Sequence, residues 1–271
     1  MKTCRTMNKR VVQVDDHRLV ITCDAPELWP VITFSFLSAD RDDEAQPIDL
    51  ALDIHGGYGT PFAGYELQSG REGDRIFFRR ADYLLTIDAA FRTAAIRANE
   101  PISLKHALLN LYSSYLIHLN QGLLFHASCV IDHGQAHLFA GQSGVGKSTV
   151  ALLSFPRKLL ADEAALIKFT KDGAIAYNSP FRSELTAKYG GDPTPVTSVQ
   201  LLHQSSKIRR ERLNKGDALL KLYDTLFFWQ YRKEESTRIL RLLKRFVDQV
   251  PVYDLYFQKN DRFWPLISVH G

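Results

Sequence analysis

The chain has 271 residues, of which 45% are hydrophobic and 24% are charged, and its formal net charge is +4. This balance excludes an intrinsically disordered chain and predicts a globular protein with a sizeable core. No apolar run is long enough to span a membrane or to follow the basic first ten residues as a secretory signal, so we expect a cytoplasmic protein without a membrane partner. The excess of positive charge falls in residues 101–271, but no recognition module accompanies it, so nucleic acid is not expected as a partner.

The first hundred residues form a series of short predicted strands separated by turn residues. Their regular spacing indicates antiparallel pairing, so we predict a β-rich N-terminal subdomain over residues 1–100. No residue pattern in it indicates a catalytic or binding site. The predicted strands are residues 11–14, 19–23, 31–37, 48–54, 65–68, 75–79, 83–87 and 91–97.

The hydrophobic period changes to that of a helix after Pro101. Leucines and tyrosines recur along one face between Leu104 and Leu119, and Gly122 follows the last of them. We interpret residues 101–122 as a connecting helix and residues 123–271 as a nucleotide-binding α/β domain.

A phosphate-binding loop is the most specific motif of the chain. Residues 141–149 read GQSGVGKST and match GxxxxGKS/T, between an apolar predicted strand at 135–140 and a predicted helix from Ser148. The glycines let backbone amides turn inward around an anion, Lys147 can reach the β- and γ-phosphates, and the Ser148 hydroxyl can bind Mg²⁺. The predicted nucleotide-binding residues are Gly141, Ser143, Gly144, Val145, Gly146, Lys147, Ser148 and Thr149.

The predicted strand before this loop contains an unexpected polar residue. Residues 123–131 are mostly apolar but include His126, and a turn at 132–135 connects them to the strand that enters the loop. A buried imidazole needs hydrogen-bond partners. His126 is therefore either a structural core residue or a polar group directed at the phosphates.

Two acids and one arginine follow the loop. Asp162 and Glu163 end a short apolar strand, where a carboxylate can hold Mg²⁺ on the phosphates or accept the proton of an attacking hydroxyl. A solvated pair of acids is the alternative. Arg182 lies among turn and apolar residues and can clamp a transferring phosphoryl group, the alternative being an ion pair with Glu184.

The remainder predicts further α/β structure. A strand is expected at 196–203, two helices in the basic stretch 207–245, a strand at 251–257 and a short helix at 262–268.

Several motifs together resemble the catalytic domain of the HPr kinase/phosphorylase family, which shares its core with ATP-dependent PEP carboxykinases. They are His126 in an apolar strand, the loop GQSGVGKS, and Leu160-Ala161-Asp162-Glu163. The segments Ser179 to Leu185 and Val250 to Leu255 further resemble HPr-kinase-related proteins of peptide-modification gene clusters.

The resemblance implies an α/β domain of the PEP carboxykinase/HPr kinase-like P-loop type behind the β-rich subdomain. It implies that Lys147 and the loop amides hold the phosphates of ATP, that Ser148 helps to hold Mg²⁺, and that Asp162 is the base for the accepting hydroxyl. Glu163 and His126 are then expected to support metal and phosphate.

We therefore predict a Mg·ATP-dependent kinase that phosphorylates a hydroxyl, with serine or threonine of a peptide or protein as the expected acceptor. HPr itself is not expected as the substrate, because the glycine- and arginine-rich signature of true HPr kinases does not follow the acids. A homo-oligomer is compatible with the sequence. The alternatives are an ATP-binding sensor or assembly factor without turnover and a kinase of a small-molecule alcohol.

Overall fold

A computed structural model describes residues 7–36, 46–183 and 190–268. It is a mixed α/β structure with two sheets and, in these ranges, five α-helices. The chain forms two compact units. The first runs to His118 and also includes Trp229–Glu235, and the second comprises Leu119–Phe228 and the chain from Ser236 onward.

The first unit is built on a seven-stranded sheet in the order β1-β2-β3-β7-β6-β5-β4. Alternating apolar side chains bury one face of its central strands, as in β6, where Tyr83, Leu85 and Ile87 are all buried. Helix α2 packs against β6 and β7, and it is buried on most sides rather than along the single face that its sequence pattern predicted. The elements are β1 Asn8–Val14, β2 His17–Cys23, α1 Trp29–Ser35, β3 Leu50–His55, β4 Gln68–Glu72, β5 Arg75–Arg79, β6 Tyr83–Asp88, β7 Thr93–Ala98 and α2 Pro101–His118.

Three predictions for this unit are wrong. The expected strand at 31–37 is α1 in its described part, because Pro30 initiates a helical turn and only Ile32 of that helix is buried. The expected strand at 65–68 lies further along as β4, which occupies residues that read as a turn. The sheet is not wholly antiparallel, since β2 pairs with β3 and β3 with β7 in parallel.

The segment Trp229–Glu235 joins the first unit through specific contacts. The Ser69 hydroxyl donates to the Gln230 carbonyl at 2.5 Å, and the rings of Phe78 and Tyr231 meet edge to face at 6.0 Å. Residues far along the chain therefore complete this unit.

The second unit is built on an eight-stranded sheet in the order β10-β8-β11-β12-β13-β15-β14, with β9 paired to both β8 and β13. Strands β9, β13 and β15 run parallel, so their carboxyl ends meet at one edge of the sheet. The elements are β8 Gly122–Asp132, β9 Gln135–Ala140, α3 Lys147–Leu153, β10 Lys158–Ala161, β11 Ala164–Thr170, β12 Gly173–Tyr177, β13 Thr194–Gln204, β14 Arg209–Arg212, α4 Lys215–Tyr223, α5 Lys233–Gln249 and β15 Val252–Phe257. The residues of α5 from Ser236 onward belong to this unit.

An aromatic cluster packs against β9, the strand before the glycine loop, and against α3, the helix after it. Phe139 of β9 meets Phe263 and Trp264 at ring distances of 5.9 and 5.6 Å, beside the buried Val150 of α3. The Arg157 guanidinium lies 3.9 Å from the Trp264 ring centroid and donates to Asp132 at 2.6 Å. Of the short helix expected at 262–268, a 3₁₀ turn at Trp264–Leu266 is present.

No helix in the described ranges is long and apolar enough to cross a membrane.

Candidate functional site

The residues between β9 and α3 form a loop whose backbone only glycine adopts readily. Gly144 and Gly146 have φ values of +78° and +115°. A Cβ on Gly146 would lie 2.9 Å from Cζ of Phe257, so the backbone also approaches a buried ring too closely for a side chain. The loop begins at the carboxyl end of a parallel strand and ends at the amino end of a helix, where backbone N–H groups favour an anion.

Lys147, the first residue of α3, folds back over this loop. Its ammonium donates to the carbonyls of Gly141 and Gln142, both at 3.0 Å, and only 7% of the residue is exposed. Burial lowers the pKa of Lys147, and the nearby Glu163 carboxylate opposes that shift. A partly desolvated ammonium interacts with an anion more strongly than a lysine in water would.

His126 lies on β8, and Glu163 lies between the end of β10 and the start of β11; both are close enough to Lys147 to interact with its charge. His126 of β8 pairs with Ala164 of β11, and the amide of Ala127 donates to the carbonyl of Glu163 at 3.1 Å. Burial, and then the charge of Lys147, lower the pKa of His126 to about 4. The imidazole is therefore neutral at pH 7 and adds no charge next to the lysine.

Ser148 and Thr149 lie in the first turn of α3. Ser148 is exposed and Thr149 is half-buried. Among the residues that the structure describes, no cluster of three or more His, Cys, Asp or Glu side chains could hold a metal ion by itself.

Asp162 is buried and is engaged by its own chain. Its carboxylate accepts hydrogen bonds from the Ser183 amide at 3.0 Å and from the Ser183 hydroxyl. Arg182, which precedes Ser183 in the chain, donates to the Ser179 carbonyl at 3.1 Å and to Asn178 Oδ1 at 2.8 Å. The alternative partner of Arg182, Glu184, lies outside the described residues.

A cleft with a volume of about 640 Å³ opens beside the loop. It is lined by residues 141–145, by the carboxyl end of β13 from Leu201 to Gln204, and by Lys221, Asp224, Thr225 and Asp254. The backbone of Thr225 also contacts β8, because its carbonyl accepts a hydrogen bond from the His126 amide at 2.6 Å. The cleft thus adjoins the loop between β9 and α3.

A buried carboxylate organises the far wall of this cleft. Asp254 accepts from His203 Nε2 and from Lys221 Nζ, each at 2.7 Å. Burial acts to raise the pKa of Asp254, but hydrogen bonds from Lys221 and His203 outweigh it, and the pKa is lowered. The His203 ring stacks on Tyr256 at 4.8 Å, and the Arg209 guanidinium covers Tyr256 at 3.6 Å.

Sequence reasoning missed this group because its members are far apart in the chain. One signal was available: Asp254 interrupts the apolar run Val252–Phe257, and a charge inside such a strand requires partners.

The model of one protein family, described as SynChlorMet cassette protein ScmC, matches residues 92–269, well over half of the chain. No curated protein matches the chain.

Proposed function

The chain belongs to the family of the SynChlorMet cassette protein ScmC, and from the residues of its own site we propose that it is a Mg·ATP-dependent kinase that phosphorylates a hydroxyl. The single observation that carries this proposal is the GQSGVGKST loop with its buried lysine folded over it. We place the enzyme in the cytoplasm and take serine or threonine of a peptide or protein as the acceptor. HPr itself is not proposed as a substrate.

The phosphates of ATP bind at the loop between Gly141 and Thr149. Backbone N–H groups of the loop and the Lys147 ammonium supply the positive potential, and the dipole of α3 adds to it. The nucleoside occupies the adjoining cleft. Its volume of about 640 Å³ lies within the range of small-molecule sites.

The oxygen donors near the loop fit Mg²⁺. The exposed Ser148 hydroxyl and the Glu163 carboxylate are hard ligands of the kind that Mg²⁺ takes together with phosphate oxygens. When bound, the ion neutralises charge on the phosphates. Because His126 is neutral, it can hydrogen-bond there without adding a positive charge that would repel the metal ion.

Asp162 is the base in this proposal. In phosphoryl transfer the protein mainly positions the groups and stabilises charge, and a carboxylate within hydrogen-bond reach accepts the proton of the attacking hydroxyl. The hydrogen bond from the Ser183 hydroxyl to Asp162 supports this role, because the carboxylate already accepts from an alcohol of the same kind as the acceptor. Arg182, at the neighbouring position, can then steady the transferring group.

A nucleotide sensor without turnover is the second candidate. The observation that favours it is the same hydrogen bond, since a carboxylate occupied by its own chain need not meet an external acceptor. A sensor requires Lys147 but not Asp162.

Turnover decides between the two. We expect purified protein with Mg·ATP and a cell extract to produce a new phosphomonoester signal in phosphorus NMR. Lys147→Ala should abolish both ATP binding and turnover, and Asp162→Asn should abolish turnover with ATP binding nearly intact. The matched control Lys158→Ala removes an exposed lysine of the same unit and should change neither. Full transfer by Asp162→Asn would contradict the assigned base, and ATP binding without consumption in any extract would favour the sensor.

A further inference from the structure

Ser183 is the residue that the proposed mechanism leaves unexplained. Its amide and its hydroxyl donate to different oxygens of Asp162, so one serine engages the whole carboxylate. Asp162 itself is only 2% exposed. The hydroxyl therefore occupies the position that an acceptor must reach to lose its proton to this base.

A short chain of contacts connects this pair to the phosphate-binding loop. Asp162 precedes Glu163, whose carbonyl accepts the Ala127 amide at 3.1 Å. The next residue, Ser128, donates its hydroxyl to the Lys147 carbonyl at 3.3 Å. Glu163 also lies close enough to Lys147 for its charge to act on the ammonium. These hydrogen bonds connect the segment that contains Asp162 to the start of α3.

The segment that presents Ser183 is itself anchored. The Ser179 amide donates to the carbonyl of Leu160 in β10 at 2.9 Å, and only 3% of Phe181 is exposed. Arg182 bonds to the Ser179 carbonyl and to Asn178. A nucleophile held in one place against its base has already lost most of the orientational freedom that a free acceptor must give up.

We propose that Ser183 is a phosphorylation site of this protein and that the chain modifies it in cis. This inference rests on the proposed kinase function and adds a specific acceptor to it. The Ser183 oxygen forms a bond to the γ-phosphorus of ATP, the bond from that phosphorus to the β,γ-bridging oxygen breaks, and ADP leaves. The hydroxyl proton passes to Asp162.

The product has a predictable local effect. A phosphoserine carries close to two negative charges at pH 7 and cannot remain against the Asp162 carboxylate. Arg182, one residue away, supplies a planar donor group that suits phosphate. Modification therefore releases Asp162 from Ser183 and leaves the base accessible to an external hydroxyl.

The test is to incubate the purified full chain with Mg·ATP and to map phosphate by peptide mass spectrometry while ADP formation is measured in parallel. We expect phosphate on Ser183 in the unaltered chain, and none at that position in Ser183→Ala, Lys147→Ala or Asp162→Asn. Ser183→Thr keeps a hydroxyl at the position and should retain phosphate there. Ser206→Ala, which removes an exposed serine elsewhere in the same unit, should leave the modification of Ser183 unchanged.

A mixing experiment tests the intramolecular step. A tagged Lys147→Ala chain incubated with the unaltered chain should stay unmodified at Ser183, and the rate constant should not change with protein concentration. Phosphate on the tagged chain would overturn transfer in cis. ADP and a phosphorylated acceptor with Ser183 unmodified would overturn this inference and leave the kinase function standing. No ADP under any condition would overturn both.

Discussion

Replacing Gly146 by alanine should destabilise the second unit more than a turn glycine normally would. At a φ of +115° a side chain costs about 1–3 kcal/mol of backbone strain. The new Cβ would also lie 2.9 Å from Cζ of Phe257, whereas carbon atoms pack comfortably at about 3.5 Å. Phe257 is 2% exposed and packs against Phe263, so its ring has little room to move. Overpacking of this kind adds about 1–3 kcal/mol, which gives a total of about 2–6 kcal/mol.

Gly134→Ala is the matched control. Gly134 lies in the turn between β8 and β9 with a φ of +75°, and a Cβ there meets nothing within 4 Å. It should therefore cost only the backbone strain, about 1–2 kcal/mol. Urea denaturation followed by tryptophan fluorescence gives both values. If the two substitutions cost the same, or if Phe257→Leu fails to relieve any of the Gly146→Ala loss in a double-mutant cycle, the argument from the ring contact is wrong.

Three further predictions concern polar side chains of the second unit. Asp254→Asn removes hydrogen bonds between charged groups in the cleft wall and should weaken ATP binding by about tenfold or more in calorimetry; an unchanged Kd would contradict the cleft assignment. His126 and His137, each with a folded pKa of about 4, bind protons only when unfolded between pH 6.5 and 4. Stability should therefore fall on acidification, by up to about 2 kcal/mol per histidine at pH 5, and His137→Gln should flatten the pH dependence of the urea midpoint. Arg157→Lys keeps the charge but loses the stacking on Trp264, and should lower the free energy of unfolding by about 1–2 kcal/mol.

Local sequence signals predicted the elements around the loop well. The hairpin of β8 and β9, the helix after Gly146 and the long helix α2 lie where their patterns placed them. Each depends on a local pattern, namely strand alternation, glycine in a tight loop or helical spacing of apolar residues. Patterns of this kind can be recognised in a single sequence.

The errors of prediction arise where distant parts of the chain decide the structure. Val31, Ile32 and Thr33 favour a strand by propensity, but no neighbouring strand takes them up and they form α1. Parallel pairing of β3 with β7 encloses three other strands in the sequence, so spacing between turns says nothing about it.

The residues of the candidate site likewise fall into those that a local motif predicted and those that only the folded chain brings together. The loop and its lysine could be read from one motif, whereas His126, whose role the residue pattern left open, and Glu163 are found near Lys147 only in the structure. The partners of Asp254 could not be found, because His203 and Lys221 meet it only through the parallel pairing of β13 with β15 and the return of α4. The occupation of Asp162 by Ser183 was equally hidden, since no sequence pattern specifies which hydroxyl faces a carboxylate.

The return of residues Trp229–Glu235 to the first unit has a consequence for the order of events on the ribosome. The strands β1 to β7 and helix α2 all emerge before residue 119, yet the residues that contact Ser69 and Phe78 are synthesised more than a hundred positions later, after β8 to β14 and α4. Domains generally fold as units from the amino terminus during synthesis. The first unit therefore cannot complete its contacts until residues Trp229–Glu235 have been synthesised, by which time most of the second unit has also been made.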